Sequence, residues 1–238
     1  MKNSQTIIKK PINWDGVRSD LDQRGFVVVP GVFTKEMCGE IAAYYGDDRR
    51  FRSRVEMSRY SFGQGEYKYF NYPLPPIVQQ LRVSIYSELA PLANRWAEQL
   101  DQSRGRYPEA LPEFLERCHR SGQKRPTPLL LKYGAGDFNC LHRDLYGEIH
   151  FPFQLTIFLS QQDRDFTGGE FVLAEQHPRR QSRVEVLMPD QGDAVIFTVY
   201  DRPVCGTRGY YRANLRHGVS TVHSGERYTL GIIFHDAK

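Results

Sequence analysis

His142-Arg143-Asp144 places an imidazole and a carboxylate two residues apart. On an extended segment residues i and i+2 point to the same side, so the two groups can hold one ion together. A second imidazole would complete two histidines and a carboxylate on one face of a metal, a set that leaves positions open for oxygen and substrate. The downstream candidates are His150, His177, His217, His223 and His235. Only His217 is followed ten residues on by an arginine, Arg227, which opens the apolar run Tyr228-Thr229-Leu230-Gly231-Ile232-Ile233-Phe234. An arginine pointing from a strand into a dry barrel must meet an anion, because an unpaired buried charge is too costly to keep. A dicarboxylate would supply it, its distal end held by the guanidinium fork through two parallel hydrogen bonds. A protein carboxylate is the plainer partner.

The elements that must position these residues fall into two stretches. Up to Pro126 the chain reads as mainly helical: Phe26-Val27-Val28-Val29-Pro30 is a short entering strand, and Thr34 suits the N-cap of a helix over Lys35–Tyr45. Ile77, Leu81, Ile85, Leu89, Leu92 and Trp96 recur at helical steps, which predicts a helix from Ile77 to Leu100 that Pro91 kinks or divides. Another helix is expected between Pro108 and Ser121. From residue 127 the period changes to short runs rich in β-formers: 129–133, 151–159, 170–173, 194–200 and 228–234, punctuated by Gly, Pro and Asp. Phe153, Leu155, Ile157 and Leu159 alternate with Gln154, Thr156 and Phe158 as a half-buried strand would. The expected architecture is mainly β with helical support: N-terminal helices (1–126) on a C-terminal antiparallel sandwich or barrel (127–238), one folding unit spanning 1–238.

The bulk composition agrees with a globular chain. Thirty-two Lys+Arg against 28 Asp+Glu leave +4 over 238 residues, too even for a polyanion binder defined by charge alone. No apolar stretch reaches membrane length, and the start MKNSQTIIKKPINW has no apolar leader core, so a cytoplasmic location without membrane partners is expected. Cys38, Cys118, Cys140 and Cys205 are scattered, as suits reduced thiols. Cys140, two residues before His142, is expected on the same side as that imidazole. Asn139, Tyr146 and Arg212 are candidates for the mouth of a site, and His223 and His235 are read as structural.

The charge is uneven. Residues 1–126 hold 20 Lys+Arg and 15 Asp+Glu, residues 127–238 hold 12 and 13. Arg49, Arg50, Arg52, Arg54 and Arg59 stand against Glu56, followed by Tyr60, Phe62, Tyr67, Tyr69, Phe70 and Tyr72. Basic residues interleaved with aromatics can follow a nucleic-acid backbone and stack bases, which makes Arg50, Arg52 and Arg54 candidate substrate contacts. The plainer reading is a solvated loop whose arginines pair with acids and whose rings pack locally.

Tyr133-Gly134-x-Gly136, His142-x-Asp144, Thr167-Gly168-Gly169-Glu170, Gln191-Gly192-Asp193-Ala194 and His217-Gly218-Val219 through Arg227 resemble the Fe(II)/2-oxoglutarate-dependent dioxygenase superfamily. More narrowly, RFRSRVEMSRYSFGQGEYKYFNYPLPP, RPTPLLLKYGAGDFNCLHRDLYGE and LRHGVSTVHSGERYTLGIIFHDA are similar to a bacterial family in it, proposed to act oxidatively on damaged nucleic acid. The likeness runs from about Trp14 to Ala237. It implies a double-stranded β-helix, a jelly-roll or cupin-like barrel, with Fe(II), 2-oxoglutarate and O2 as its reagents. It implies that His142, Asp144 and His217 bind the iron and that Arg227 holds the distal carboxylate of 2-oxoglutarate. Tyr133 matches a tyrosine that hydrogen-bonds the cosubstrate in related dioxygenases. Arg143 departs from the family, which more often has Gln between the two ligands, and is a further candidate for substrate contact. Arg227 lacks the second arginine that follows it in DNA-dealkylating dioxygenases.

The activity this implies is hydroxylation of a C–H bond, with oxidative demethylation of alkylated nucleic acid as the expected case. The alternatives are a hydroxylase of a protein side chain or small metabolite, given a His217-to-Arg227 spacing similar to that of prolyl hydroxylases, and a barrel that binds without catalysis. A zinc hydrolase could use the same triad but gives Arg227 no task.

Overall fold

The computed structural model describes residues 11–101 and 106–238, so the reading of the first ten residues lies outside the described residues. Two antiparallel sheets face each other. The larger runs in the order β1 (Phe26–Val29), β11 (Ala194–Thr198), β7 (Phe153–Phe158), β15 (Arg227–Ile233), β5 (Leu129–Tyr133), β4 (Glu66–Phe70) and β2 (Phe51–Glu56). The smaller runs β10 (Arg183–Leu187), β9 (Phe171–Gln176), β13 (Gly209–Val219), β6 (Phe138–His142) and β3 (Gly63–Gln64), with β12 (Asp201–Gly206) also on β13. A short pair, β14 (Val222–Gly225) on β8 (Phe166–Gly168), closes one end. The strand order jumps back and forth along the chain, as in a jelly roll.

Strand alternation builds two cores from one sheet. On β7, Phe153, Leu155 and Ile157 point away from the barrel and join Leu130, Leu230 and Ile232 against the helices. Phe158 points inward and packs with Phe171, Phe197 and Leu215 between the sheets. Both faces of β7 are therefore buried, where the sequence pattern predicts a half-buried strand; the Gln154–Thr156–Phe158 face expected to meet water turns into the barrel interior, opposite the smaller sheet.

Helix α1 (Trp14–Arg24) is capped by the Asn13 side chain and stopped by Gly25 at φ 77°. Thr34 accepts from the Met37 amide at the start of α2 (Lys35–Ala43), which passes into a 3-10 turn at Tyr44. Helix α3 (Pro76–Gln99) lays Leu81, Ile85, Leu89, Leu92 and Trp96 on the sheet. It continues as one helix through Pro91, so the proline does not divide it. Pro91 and Ser87, whose carbonyl loses its amide partner, both lie on the exposed face, which lowers the cost of that lost bond. Helix α4 (Leu111–Arg120) packs beside α3. No helix among the described residues is long and apolar enough to cross a membrane.

The first half is less purely helical than expected. Residues 51–56 and 66–70 are strands of the larger sheet, paired with each other and, through β4, with β5. Arg54 is bound to Glu66 across that pair, and Arg49 and Arg50 are paired with Asp47. Arg52 donates to the Pro126 carbonyl at 2.9 Å and lies over Tyr69. Local pairing of these arginines is what the plainer reading of the segment expects, but on strands rather than a loop.

Candidate metal and cosubstrate site

His142 ends β6, and His217 lies directly opposite it on β13. Their ring centroids are 4.1 Å apart. Asp144, two residues beyond the strand, turns its carboxylate between them: Oδ1 is 3.5 Å from His142 Nε2 and Oδ2 is 3.4 Å from His217 Nε2. One ligand atom from each of the three lies within 4.8 Å of the others, a spread that one divalent ion can gather.

Hydrogen bonds orient His142 and Asp144, while His217 is held by packing against Phe171 and Phe197, its Nδ1 buried without a hydrogen-bond partner among the described residues. His142 Nδ1 lies 2.8 Å from the Cys140 carbonyl and donates to it, which leaves the Nε2 lone pair toward the triad. Tyr146 donates to Asp144 Oδ1 at 2.7 Å. Burial, with the nearby His142 charge, pushes the His217 imidazole down to about 4, so it is neutral and able to coordinate at ordinary pH. Burial alone would raise Asp144, but the hydrogen bond with His217 and the charges of His142 and His217 outweigh it and hold the carboxyl well below the usual range. Gly218 lets β13 approach β6, since a Cβ there would stand 2.7 Å from the Asn139 carbonyl oxygen.

Register explains which neighbours join the site. Between His217↔His142 and Val219↔Asn139, β6 carries one residue more than β13. This bulge breaks the alternation, so Asn139 and His142 both line the cavity while Cys140 is exposed, not on the imidazole's side as strict alternation predicts.

The triad opens on a cavity of about 160 Å3. Arg227 reaches it from the start of β15, directly opposite Tyr133 on β5. Arg227 is 1% exposed, and its Nε, Nη1 and Nη2 are all buried without a hydrogen-bond partner. Rings of Tyr133, Phe158 and Phe166 lie 5.4 to 5.9 Å from the guanidinium carbon. Burial lowers its pKa to about 10, which still leaves it cationic at neutral pH. Among the described residues no carboxylate pairs with it, as the plainer reading expected, and a guanidinium in this state calls for an anionic ligand. Burial raises the Tyr133 phenol to about 12, so it is a neutral hydroxyl, 3.3 Å from Asn139 Nδ2. Gly169, at φ 63°, lies against the Arg227 stem; a Cβ there would stand 3.0 Å from Arg227 Cδ and 2.8 Å from Val222 Cγ2.

Of the other sequence candidates, Asn139 and Tyr146 line the cavity and Arg212 does not, pairing with Asp201. Arg143 lies at the mouth and donates to Asn214 Oδ1 at 2.6 Å. Arg50, Arg52 and Arg54 are not among the cavity residues. His235 is buried and its Nδ1 accepts from the Phe151 amide, while His223 is exposed. Gln154 lines the cavity unforeseen, its sign an amide on the inward face of a mostly apolar strand, while Phe62, from the aromatic run read as able to stack bases, lines it too.

The fold is that of 2-oxoglutarate–Fe(II) oxygenases. A Pseudomonas putida prolyl-4-hydroxylase superposes with a TM-score of 0.56 at 13% identity, covering 94% of this chain and 99% of that one. A 2OG-Fe(II) oxygenase-family oxidoreductase from Burkholderia pseudomallei gives 0.54 at 16%, covering 96% and 94%. Residues 65–237 match the family described as an oxygenase catalysing oxidative methylation of damaged DNA, and the chain belongs to that family. Uncharacterized proteins of Mycobacterium tuberculosis strains CDC 1551 and H37Rv are each 47% identical over 168 residues, 71% of this chain and 72% of theirs. An oxygenase family, this fold, and a cavity joining two imidazoles, a carboxylate and an unpaired guanidinium define an Fe(II)/2-oxoglutarate-dependent dioxygenase.

Proposed function

We propose that His142, Asp144 and His217 hold the iron, that Arg227 and Tyr133 hold 2-oxoglutarate by its distal carboxylate, and that the group hydroxylated is an N-methyl on nucleic acid. The observation that carries the cosubstrate assignment is the buried guanidinium of Arg227, without a protein partner and in the same cavity as the triad. When bound, iron, 2-oxoglutarate and O2 supply the oxidising chemistry, one oxygen atom entering the C–H bond and the other leaving in succinate as CO2 is lost. The chain's own part is to bind and orient. Arg227 fixes the far end of the dianion and Tyr133 offers a neutral hydroxyl beside it. His142 is held in one tautomer by Cys140, Asp144 is steered by Tyr146, and the aromatic walls keep water from the reacting carbon.

The family description supports the nucleic-acid substrate. An N-methyl hydroxylated at carbon sheds formaldehyde, so the product is the bare base. The exposed guanidinium groups of Arg50 and Arg54, and Arg143 at the mouth, are the cations placed to meet phosphates; Arg52 is held inward by Pro126 and Tyr69. The acidic partners Asp47 and Glu66 favour a second reading, a protein or metabolite hydroxylase, because they offset that charge locally. We place the enzyme in the cytoplasm, in keeping with four free cysteines.

The test is succinate formation by the anaerobically Fe(II)-loaded protein on admitting O2, with and without methylated single-stranded DNA, scoring formaldehyde alongside. Stimulated succinate with matching formaldehyde is expected. Slow succinate that DNA leaves unchanged would move the substrate to proteins or metabolites. No succinate under any condition would remove the cosubstrate assignment itself.

A further inference from the structure

Gln154 is 4% exposed, lines the cavity that holds the triad, and its Oε1 is buried without a hydrogen-bond donor. An amide oxygen left so costs free energy that a ligand donor recovers. Arg227 does not share its ligand group. Gln154 stands opposite Ile233, six residues along β15 from Arg227, which is about 20 Å of strand. The anion-binding end and the carboxamide end of the cavity wall are thus separate.

Phe62 lines the same cavity while 46% exposed. Its ring is backed by Tyr60, with centroids 5.6 Å apart and planes 20° from parallel. Its backbone is pinned on both sides, the amide donating to Met57 O at 3.1 Å and the carbonyl accepting from Cys140 N at 2.8 Å. A flat apolar face is therefore presented at the opening, already stacked and held in place.

We infer that Phe62 and Gln154 form a slot for one heterocyclic base, Phe62 stacking on its face and the Gln154 carboxamide reading a donor–acceptor edge. The inference rests on the nucleic-acid reading above and adds the residues that select the base. A carboxamide pairs in two hydrogen bonds with adjacent donor and acceptor atoms, and an aromatic ring accepts any planar π-face. An unstacked base offers both at once, which an aliphatic side chain does not. Since the base must leave its neighbours to enter, single strands are the favoured substrate.

The probes are two single-stranded oligodeoxynucleotides, one bearing a single 1-methyladenine and the other a single 3-methylcytosine, with formaldehyde release as the readout. Gln154→Leu is expected to lower kcat/KM by about tenfold or more, while 2-oxoglutarate affinity, measured anaerobically, stays within about twofold of wild type. Gln154→Glu, which keeps shape and acceptors but loses the N–H donors, should change the ratio between the two lesions. Phe62→Leu should raise KM, and Phe62→Trp should restore it, because bulk alone does not replace a π-face. If both oligonucleotides serve wild type and Gln154→Leu equally, the slot is wrong though the substrate class stands. An equal loss of 2-oxoglutarate affinity would assign Gln154 to the cosubstrate and overturn the inference. If neither oligonucleotide releases formaldehyde with wild type, the nucleic-acid reading falls and the slot with it.

Discussion

At the scale of single residues, the site separates a metal end from an anion end, and substitutions should separate them too. His142→Ala or His217→Ala is expected to abolish Fe(II) binding in an anaerobic titration. Arg227→Ala should leave metal binding in place and weaken 2-oxoglutarate by about a hundredfold, the scale of losing a paired, desolvated charge. Iron binding at wild-type strength in either histidine variant would remove that ligand. Gly169→Ala tests the support of the arginine. Its Cβ meets Val222 and the Arg227 stem from a backbone at φ 63°, so it should cost about 1–2 kcal/mol of stability and displace the guanidinium. The expected readout is weaker 2-oxoglutarate binding with metal affinity unchanged. His217 and Arg227 were legible from the ten-residue step between them and the apolar run that Arg227 opens, and His142 and Asp144 from their i, i+2 spacing. Cys140 misled, because the β6 bulge breaks that same spacing one turn of pleat earlier.

At the scale of elements, the helix over 76–99 and the late strands declare themselves through period, while β2 and β4 do not. Arginines and tyrosines alternate there with too few aliphatic residues to read as a strand, and what makes them strands is the open edge of β5. Pairing partners far along the chain are invisible to a local pattern. The two-sided burial of β7 was hidden for a related reason: the second sheet, formed by strands distant along the chain, encloses the Gln154–Thr156–Phe158 face that alternation alone assigns to water. Pro91 is the element-scale test. It lies on the solvent side of α3, so Pro91→Ala restores a helical amide without disturbing packing and should raise stability by about 1–3 kcal/mol. Thermal unfolding would check this, and a lower Tm would mean that Pro91 shapes the helix after all. Leu155→Ala, between sheet and α3, should cost about 2–5 kcal/mol.

At the scale of the whole molecule, two buried histidines set the acid limit of the fold. Burial pushes His217 down to about 4 and His235 to about 3, against an ordinary 6.5. Both folded values lie below the unfolded one, so below pH 6.5 the unfolded chain takes up protons that the folded chain refuses. Stability is then fully present above about pH 6.5 and is lost as pH falls toward 4 and 3. For metal-free protein, Tm should drop by on the order of 5–10 °C between pH 7 and pH 4.5. His235→Gln should flatten part of that slope, and a Tm independent of pH in this range would show that neither ring is held neutral. The barrel also carries an imbalance that chemistry at the metal does not exhaust. The lone cation of Arg227 makes the protein without a dianion the more easily opened form, so resistance to proteases should rise with the concentration of 2-oxoglutarate. The lifetime of the chain in a cell would then follow the supply of a carbon metabolite, with enzyme abundance falling when that supply runs short.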